Sequence, residues 1–216
     1  HTCQIETFGF SEEADLRAEN MKLMDPSEGM GVEYDVKGIM DFHVRVNIPG
    51  KFSVYNSLTT IAVARHFGIS EDIINKQLLK ATIKGRVEVV PVGDEPFTII
   101  IDYAHNHMSM DSLFSTIKEY NPKRIVAVFG AGGNRDRQRR YDMGEVSAKY
   151  ADLSILTSDN PRTEDPENII KDILVGINKG NGKYIIMVDR AEAIRYSIIN
   201  AQPGDVIMLV GKGHEN

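Results

Sequence analysis

Five short apolar runs dominate the second half of the chain: Phe97–Ile101, Ile125–Phe129, Leu153–Thr157, Tyr184–Val188 and Val206–Val210. Each is bounded by turn residues, and a segment of helix length separates each from the next. Runs this continuously apolar read as strands covered on both faces rather than on one. The intervening segments supply the cover, with helices expected over 108–120, 139–150, 166–178 and 190–200 and Asp189 capping the last. The expected fold class is therefore α/β, built on a mostly parallel sheet with helices on both faces.

The first ninety residues follow another pattern. Candidate strands lie at Leu16–Leu23, Gly31–Val36 and Met40–Ile48, with a turn at Asp25-Pro26-Ser27-Glu28-Gly29. Phe42, Val44, Val46 and Ile48 alternate with His43, Arg45 and Asn47, the period of a half-buried strand. From Lys51 the period becomes helical, with Val54, Leu58, Ile61, Ala62 and Ala64 on one face and Gly68 as the stop. Ser70 is the expected N-cap of a second helix running to about Lys80. Pro91, Gly93 and Pro96 cluster where the patterns change, which divides the chain into 1–91 and 92–216.

Composition narrows the function classes. Twenty-five Lys and Arg against 31 Asp and Glu give a net charge of −6, which argues against a polycation for nucleic acid or membrane surfaces. The single cysteine, Cys3, excludes an intrachain disulfide and a cysteine-only metal cluster. No run nears the roughly 18 apolar residues of a membrane span. The chain opens without Met and stops six residues after its last strand, so both ends suggest a fragment.

In open parallel sheets, ligands bind at the carboxyl ends of the strands. Those ends carry a concentrated set of polar residues: Asp102-Tyr103-Ala104-His105, then Gly130 to Arg137, Thr157 to Arg162, Asp189-Arg190 and Gly211 to Glu215. Asp102 with His105 suits nucleotide or phosphate contact, an acid–base pair or a local structural bond; two ligands are few for a metal, and Asp102 alone could cap the next helix. Gly130-Ala131-Gly132-Gly133 forms either an anion cradle or a tight turn, and it matches neither a dinucleotide fingerprint nor a Walker A loop. Arg135, Arg137, Arg139 and Arg140 beside them favour an anionic partner. Arg162, on a proline-stiffened loop with Asn160, offers a planar fork for a carboxylate, and Glu215 offers a counterion for an amine. A ligand carrying both groups would be an amino acid.

Taken in order, Gly85-Arg86-Val87-Glu88, Asp102-Tyr103-Ala104-His105, Gly132-Gly133-Asn134-Arg135-Asp136, Asp159-Asn160-Pro161-Arg162, Asp189-Arg190 and Gly211-Lys212-Gly213-His214-Glu215 resemble the motif set of the Mur ligase family. Asp15-Leu16-Arg17-Ala18 and Pro49-Gly50-Lys51-Phe52 extend the likeness over essentially the whole chain. The resemblance implies that 1–91 is the C-terminal portion of an ATP-binding central domain and 92–216 most of a Rossmann-like C-terminal domain. It implies a cytoplasmic, monomeric enzyme using ATP and Mg2+, which makes an acyl phosphate that an incoming amine then displaces. The substrates implied are a UDP-MurNAc-dipeptide and meso-diaminopimelate. By position, Asn56 matches the adenine-contacting asparagine, while Arg86, Asp102 and His105 match residues near the ribose and phosphates, Asp102 and His105 in catalytic positions. Arg135, Asn160, Arg162, Gly211 and Glu215 match the pocket for the incoming diamino acid, and no metal ligand is carried over.

Two departures stand out. Ser53 replaces a common asparagine, and Asn106-His107-Met108 replaces a frequent Thr-Pro-Asp. The family's phosphate-binding lysine and magnesium ligands would precede His1, so the isolated chain is expected to be inactive. Alternatives are a lysine-adding, cyanophycin or folylpolyglutamate type of ligase, or a free-standing nucleotide- or amino-acid-binding module.

Overall fold

Period-2 alternation in the first segment produces a four-stranded sheet in the computed structural model, which describes Cys3, 5–24 and 29–215. Its strands are β1 (Phe8–Gly9), β2 (Leu16–Leu23), β3 (Val32–Gly38) and β4 (Phe42–Val46), paired in that order. β1 runs parallel to β2, and the other pairs are antiparallel. Val32, Tyr34 and Val36 alternate inward with Val44 and Val46, against Val54, Leu58 and Ile61 of α1 (Lys51–His66) and Ile74 and Leu78 of α2 (Glu71–Lys80). The buried Tyr34 hydroxyl lies 2.7 Å from Ser57 Oγ, and burial pushes its pKa up to about 12. Ser70 stands at the N-cap of α2 as expected, but its side chain makes no capping bond. Of the Asp25–Gly29 turn, residues 25–28 lie outside the described residues.

The second sheet has six strands in the order β5-β6-β10-β7-β8-β9. They are β5 (Glu88–Val90), β6 (Thr98–Asp102), β7 (Arg124–Phe129), β8 (Leu153–Leu156), β9 (Tyr184–Ile186) and β10 (Asp205–Val210). All pairs are parallel except β5 with β6. Four helices connect them: α3 (His107–Glu119), α4 (Arg137–Tyr150), α5 (Pro166–Lys179) and α6 (Arg190–Ile199). Ala193 of α6 packs on Val126, Val128, Ile155 and Ile207. Ile125, Ala127 and Phe129 are buried with the opposite parity, on the other face of β7, and α4 contacts both α3 and α5. α4 and α5 cross so closely that a Cβ on Gly176 would lie 1.9 Å from the Tyr141 carbonyl oxygen.

The compact units divide between Thr82 and Ile83, not between 91 and 92. The reason is β5, which hydrogen-bonds to β6 and so draws residues 83–91 into the second unit. Pro91, Gly93 and Pro96 lie in the connection between two antiparallel strands. No helix among the described residues is long and apolar enough to cross a membrane. Because β10 lies between β6 and β7, its following loop emerges between theirs, and that adjacency sets the site.

Candidate functional site

Asp102 ends β6 and is buried. Its Oδ2 accepts from the Val87 amide at 2.7 Å and its Oδ1 from the Ala104 amide at 2.6 Å. Val87 has a φ of 43°, a left-handed conformation that a β-branched residue adopts only under constraint. The carboxylate therefore braces the Gly85-Arg86-Val87 turn. Burial pushes the Asp102 pKa up, against the two amides and the nearby Arg86 and His105. It does not cap α3: Asn106 does, in a capping box with Ser109.

His105 turns its Nδ1 to the Tyr103 carbonyl oxygen at 2.8 Å. A carbonyl only accepts, so that nitrogen carries the proton and the neutral ring keeps its lone pair on Nε2. Arg139 Nε donates to the His105 carbonyl at 2.6 Å and so fastens α4 to this loop. Arg86 is exposed, its guanidinium carbon 4.9 Å from the Tyr103 ring centroid.

Gly130, Gly132 and Gly133 lie at a junction between loops. A Cβ on Gly130 would lie 2.2 Å from the Thr157 carbonyl oxygen, and one on Gly133 1.9 Å from that of Pro161. The Gly133 amide donates to the Asn160 carbonyl at 2.8 Å, and the Asn134 amide donates to Glu164. These two amides are committed internally, which favours the tight-turn reading over an anion cradle.

The neighbouring arginines divide. Arg140 is 1% exposed and bonds Glu164 through both terminal nitrogens, at 2.8 and 2.6 Å, and Asp172 at 2.9 Å. Arg137 also bonds Asp172, at 3.0 and 2.5 Å. These two arginines join α4 to α5 and the loop before it, their charges met by Glu164 and Asp172. Arg140 and the Asn134 amide hold the Glu164 carboxyl down to about 2.

Arg135, Asn160, Arg162, Gly211 and Glu215 line one cleft, together with Tyr103, His105 and Asp159. Arg162 has a φ of 54° and donates to the Gly133 carbonyl. Gly211 has a φ of 108°, and its amide donates to the Asp102 carbonyl at 3.1 Å. Glu215 accepts from Tyr103 Oη at 2.7 Å and from Asn160 Nδ2 at 3.3 Å. Asn56 lies in the first unit, exposed on α1.

The sequence reading gave no separate role to Tyr103 or Arg190, and it offered Arg139 for an anionic partner, whereas its Nε is spent on the His105 carbonyl. Arg190 donates to the Val210 carbonyl at 3.0 Å, where β10 turns into the cleft, and burial pushes its pKa down. The only signal for Tyr103 and Arg190 was position at or beside strand ends.

Fold and cleft together define a Rossmann-like α/β domain whose charged loops meet at the carboxyl edge of the sheet. The family model described as "Mur ligase, glutamate ligase domain" matches residues 85–213, and the chain belongs to the Mur ligase family. It is 45% identical to a UDP-N-acetylmuramoyl-L-alanyl-D-glutamate–2,6-diaminopimelate ligase of Caldanaerobacter subterraneus, over 98% of this chain and 43% of that protein. It is 42% identical to a ligase of that name, numbered 1, in Clostridium acetobutylicum, over 97% of this chain and 43% of the relative. A solved ligase of the same name superposes with a TM-score of 0.66 at 32% identity, covering 99% of this chain and 43% of that one. The chain thus spans under half the length of these relatives.

Proposed function

We propose that this chain is the amino-acid-binding part of an amide ligase that joins meso-diaminopimelate to UDP-N-acetylmuramoyl-L-alanyl-D-glutamate in the cytoplasm. The observation that carries the reading is the convergence of Asn160, Arg162 and Glu215 on one cleft. The names of the relatives support the substrate pair. ATP, with Mg2+, supplies the phosphoryl group that turns a carboxylate oxygen into a leaving group, after which an amine can displace it.

The residues of this chain bind and orient. Arg162 spends one terminal nitrogen on the Gly133 carbonyl, and the rest of its fork is left for the carboxylate at the distal end of the ligand. Glu215 receives the distal ammonium. L-lysine lacks that distal carboxylate and would leave Arg162 unpaired. Arg86 fits phosphate oxygens, and the open Nε2 of His105, an acceptor, fits a hydroxyl donor such as that of the ribose. Asp102, with both oxygens on backbone amides, acts as the brace that presents Arg86 rather than as a reacting group. No three His, Cys, Asp or Glu side chains gather into a metal site among the described residues.

Titration calorimetry on the chain tests the proposal. It should prefer meso-diaminopimelate to L-lysine, and Arg162→Ala should cost at least ~2 kcal/mol, about 30-fold in affinity, for diaminopimelate. A preference for lysine, or an unchanged affinity in Arg162→Ala, refutes it.

A further inference from the structure

Tyr103 lines the cleft, and the pocket as described gives it no task. We propose that Tyr103 is a positioning residue that fixes the Glu215 carboxylate for the distal ammonium of the amino-acid ligand. The inference rests on the pocket reading above.

Glu215 needs such a device. It is exposed and follows Gly211 and Gly213, which both have positive φ, at 108° and 53°. A glutamate there would otherwise sample many rotamers, and freezing it only when the ligand arrives would weaken binding. Two donors hold it in advance. Tyr103 Oη lies 2.7 Å from Oε1, and Asn160 Nδ2 lies 3.3 Å from Oε2. Each carboxylate oxygen has a second lone pair, so both bonds leave room for an ammonium.

The hydroxyl is itself well anchored. Arg86 lies over the ring at 4.9 Å, and His105 meets it edge-on with centroids 4.8 Å apart. The His214 ring lies 5.8 Å away. The backbone at Gly213 presses so close that a Cβ there would stand 2.8 Å from Tyr103 Cβ. The Glu215 hydrogen bond and charge also push the phenol pKa up, which keeps the hydroxyl protonated as a donor. Glu215 is thereby oriented by a residue 112 positions away on another strand end.

The test separates positioning from general packing by the choice of ligand. Meso-diaminopimelate carries the distal amine, whereas 2-aminopimelate keeps both carboxylates and lacks it. In calorimetric titrations of the full chain, Tyr103→Phe, which retains the ring, should weaken diaminopimelate binding about tenfold. It should leave 2-aminopimelate within about twofold. Glu215→Gln should show the same selectivity, and adding Tyr103→Phe to it should cost nothing further. Equal losses for both ligands, or no loss for either, with the melting curve of Tyr103→Phe unchanged, overturn the inference while the pocket reading stands. A wild-type chain that does not bind diaminopimelate overturns the pocket reading and this inference with it.

Discussion

Replacing Arg140 by methionine should cost the second unit about 3 kcal/mol, and the geometry sets that figure. Removing one partner of a buried ion pair costs about 3–5 kcal/mol, because the other charge is stranded away from water. Asp172 is the charge at risk, at 5% exposure. It keeps Arg137, whose side chain is 69% exposed and so screens it only in part. Glu164 is a third exposed and keeps the Asn134 amide, so it adds little. The lower end of the range follows. Methionine fills most of the vacated volume without a charge, which keeps cavity formation out of the measurement. Urea denaturation followed by far-UV circular dichroism reads the loss as a lower midpoint at constant slope. By thermal melting it corresponds to roughly 10 °C in a unit of this size. Adding Asp172→Asn should return part of the loss by neutralising the stranded carboxylate. A loss below about 1 kcal/mol, or no recovery in the double variant, would refute the view that Arg140 is a structural counterion.

Two further outcomes follow from the same loops. Gly133→Ala places a Cβ 1.9 Å from a backbone oxygen that cannot rotate away, so it should cost about 2 kcal/mol or more; a melting temperature within 1 °C of wild type would contradict this. Glu164 has its carboxyl lowered from 4.5 to about 2 in the folded chain, so the stability it contributes is complete above pH 4.5 and is lost as pH falls toward 2. Glu164→Gln should flatten the acid limb of the stability profile, and superimposable acid limbs for the two chains would count against the Arg140 pair.

The architecture of the second unit was legible because its strands are apolar on both faces and its helices fall between them. What escaped was short or distant. β1 has two residues and β5 three, too few for any period to register. Missing β5 turned its connection to β6 into an apparent linker and moved the boundary from Thr82 to residue 91. The strand-end residues of the cleft were readable because a parallel sheet delivers successive loops to one edge. Their mutual contacts were not. Arg137 and Arg140 suggested an anionic partner, since Glu164 lies 24 positions beyond Arg140 and Asp172 lies 32 beyond. The glycine run likewise suggested a cradle, because nothing local reveals that the Pro161 backbone presses on it.

The same contacts explain how exposed loops come to hold a defined pocket. Val87 at a φ of 43° and Arg162 at 54° sit in a region that glycine, asparagine and aspartate tolerate best. Each conformation costs on the order of 1–3 kcal/mol and persists only where surrounding bonds over-determine it. For Val87 the bond is to the buried Asp102 carboxylate, and for Arg162 it is to the Gly133 carbonyl, on a loop already locked to Asn160. Arg162 lines the cleft and supplies its guanidinium, and Val87 adjoins Arg86, whose guanidinium lies over the ring of the cleft residue Tyr103. The bracing groups also converge on one short segment, since Asp102 precedes Tyr103 and the Asp102 carbonyl receives the Gly211 amide. The end of β6 therefore orders the Arg86 turn on one side and the Glu215 loop on the other. A ligand entering the cleft meets charges whose positions are set before it arrives, and the ordering entropy that would otherwise oppose binding has already been met by folding.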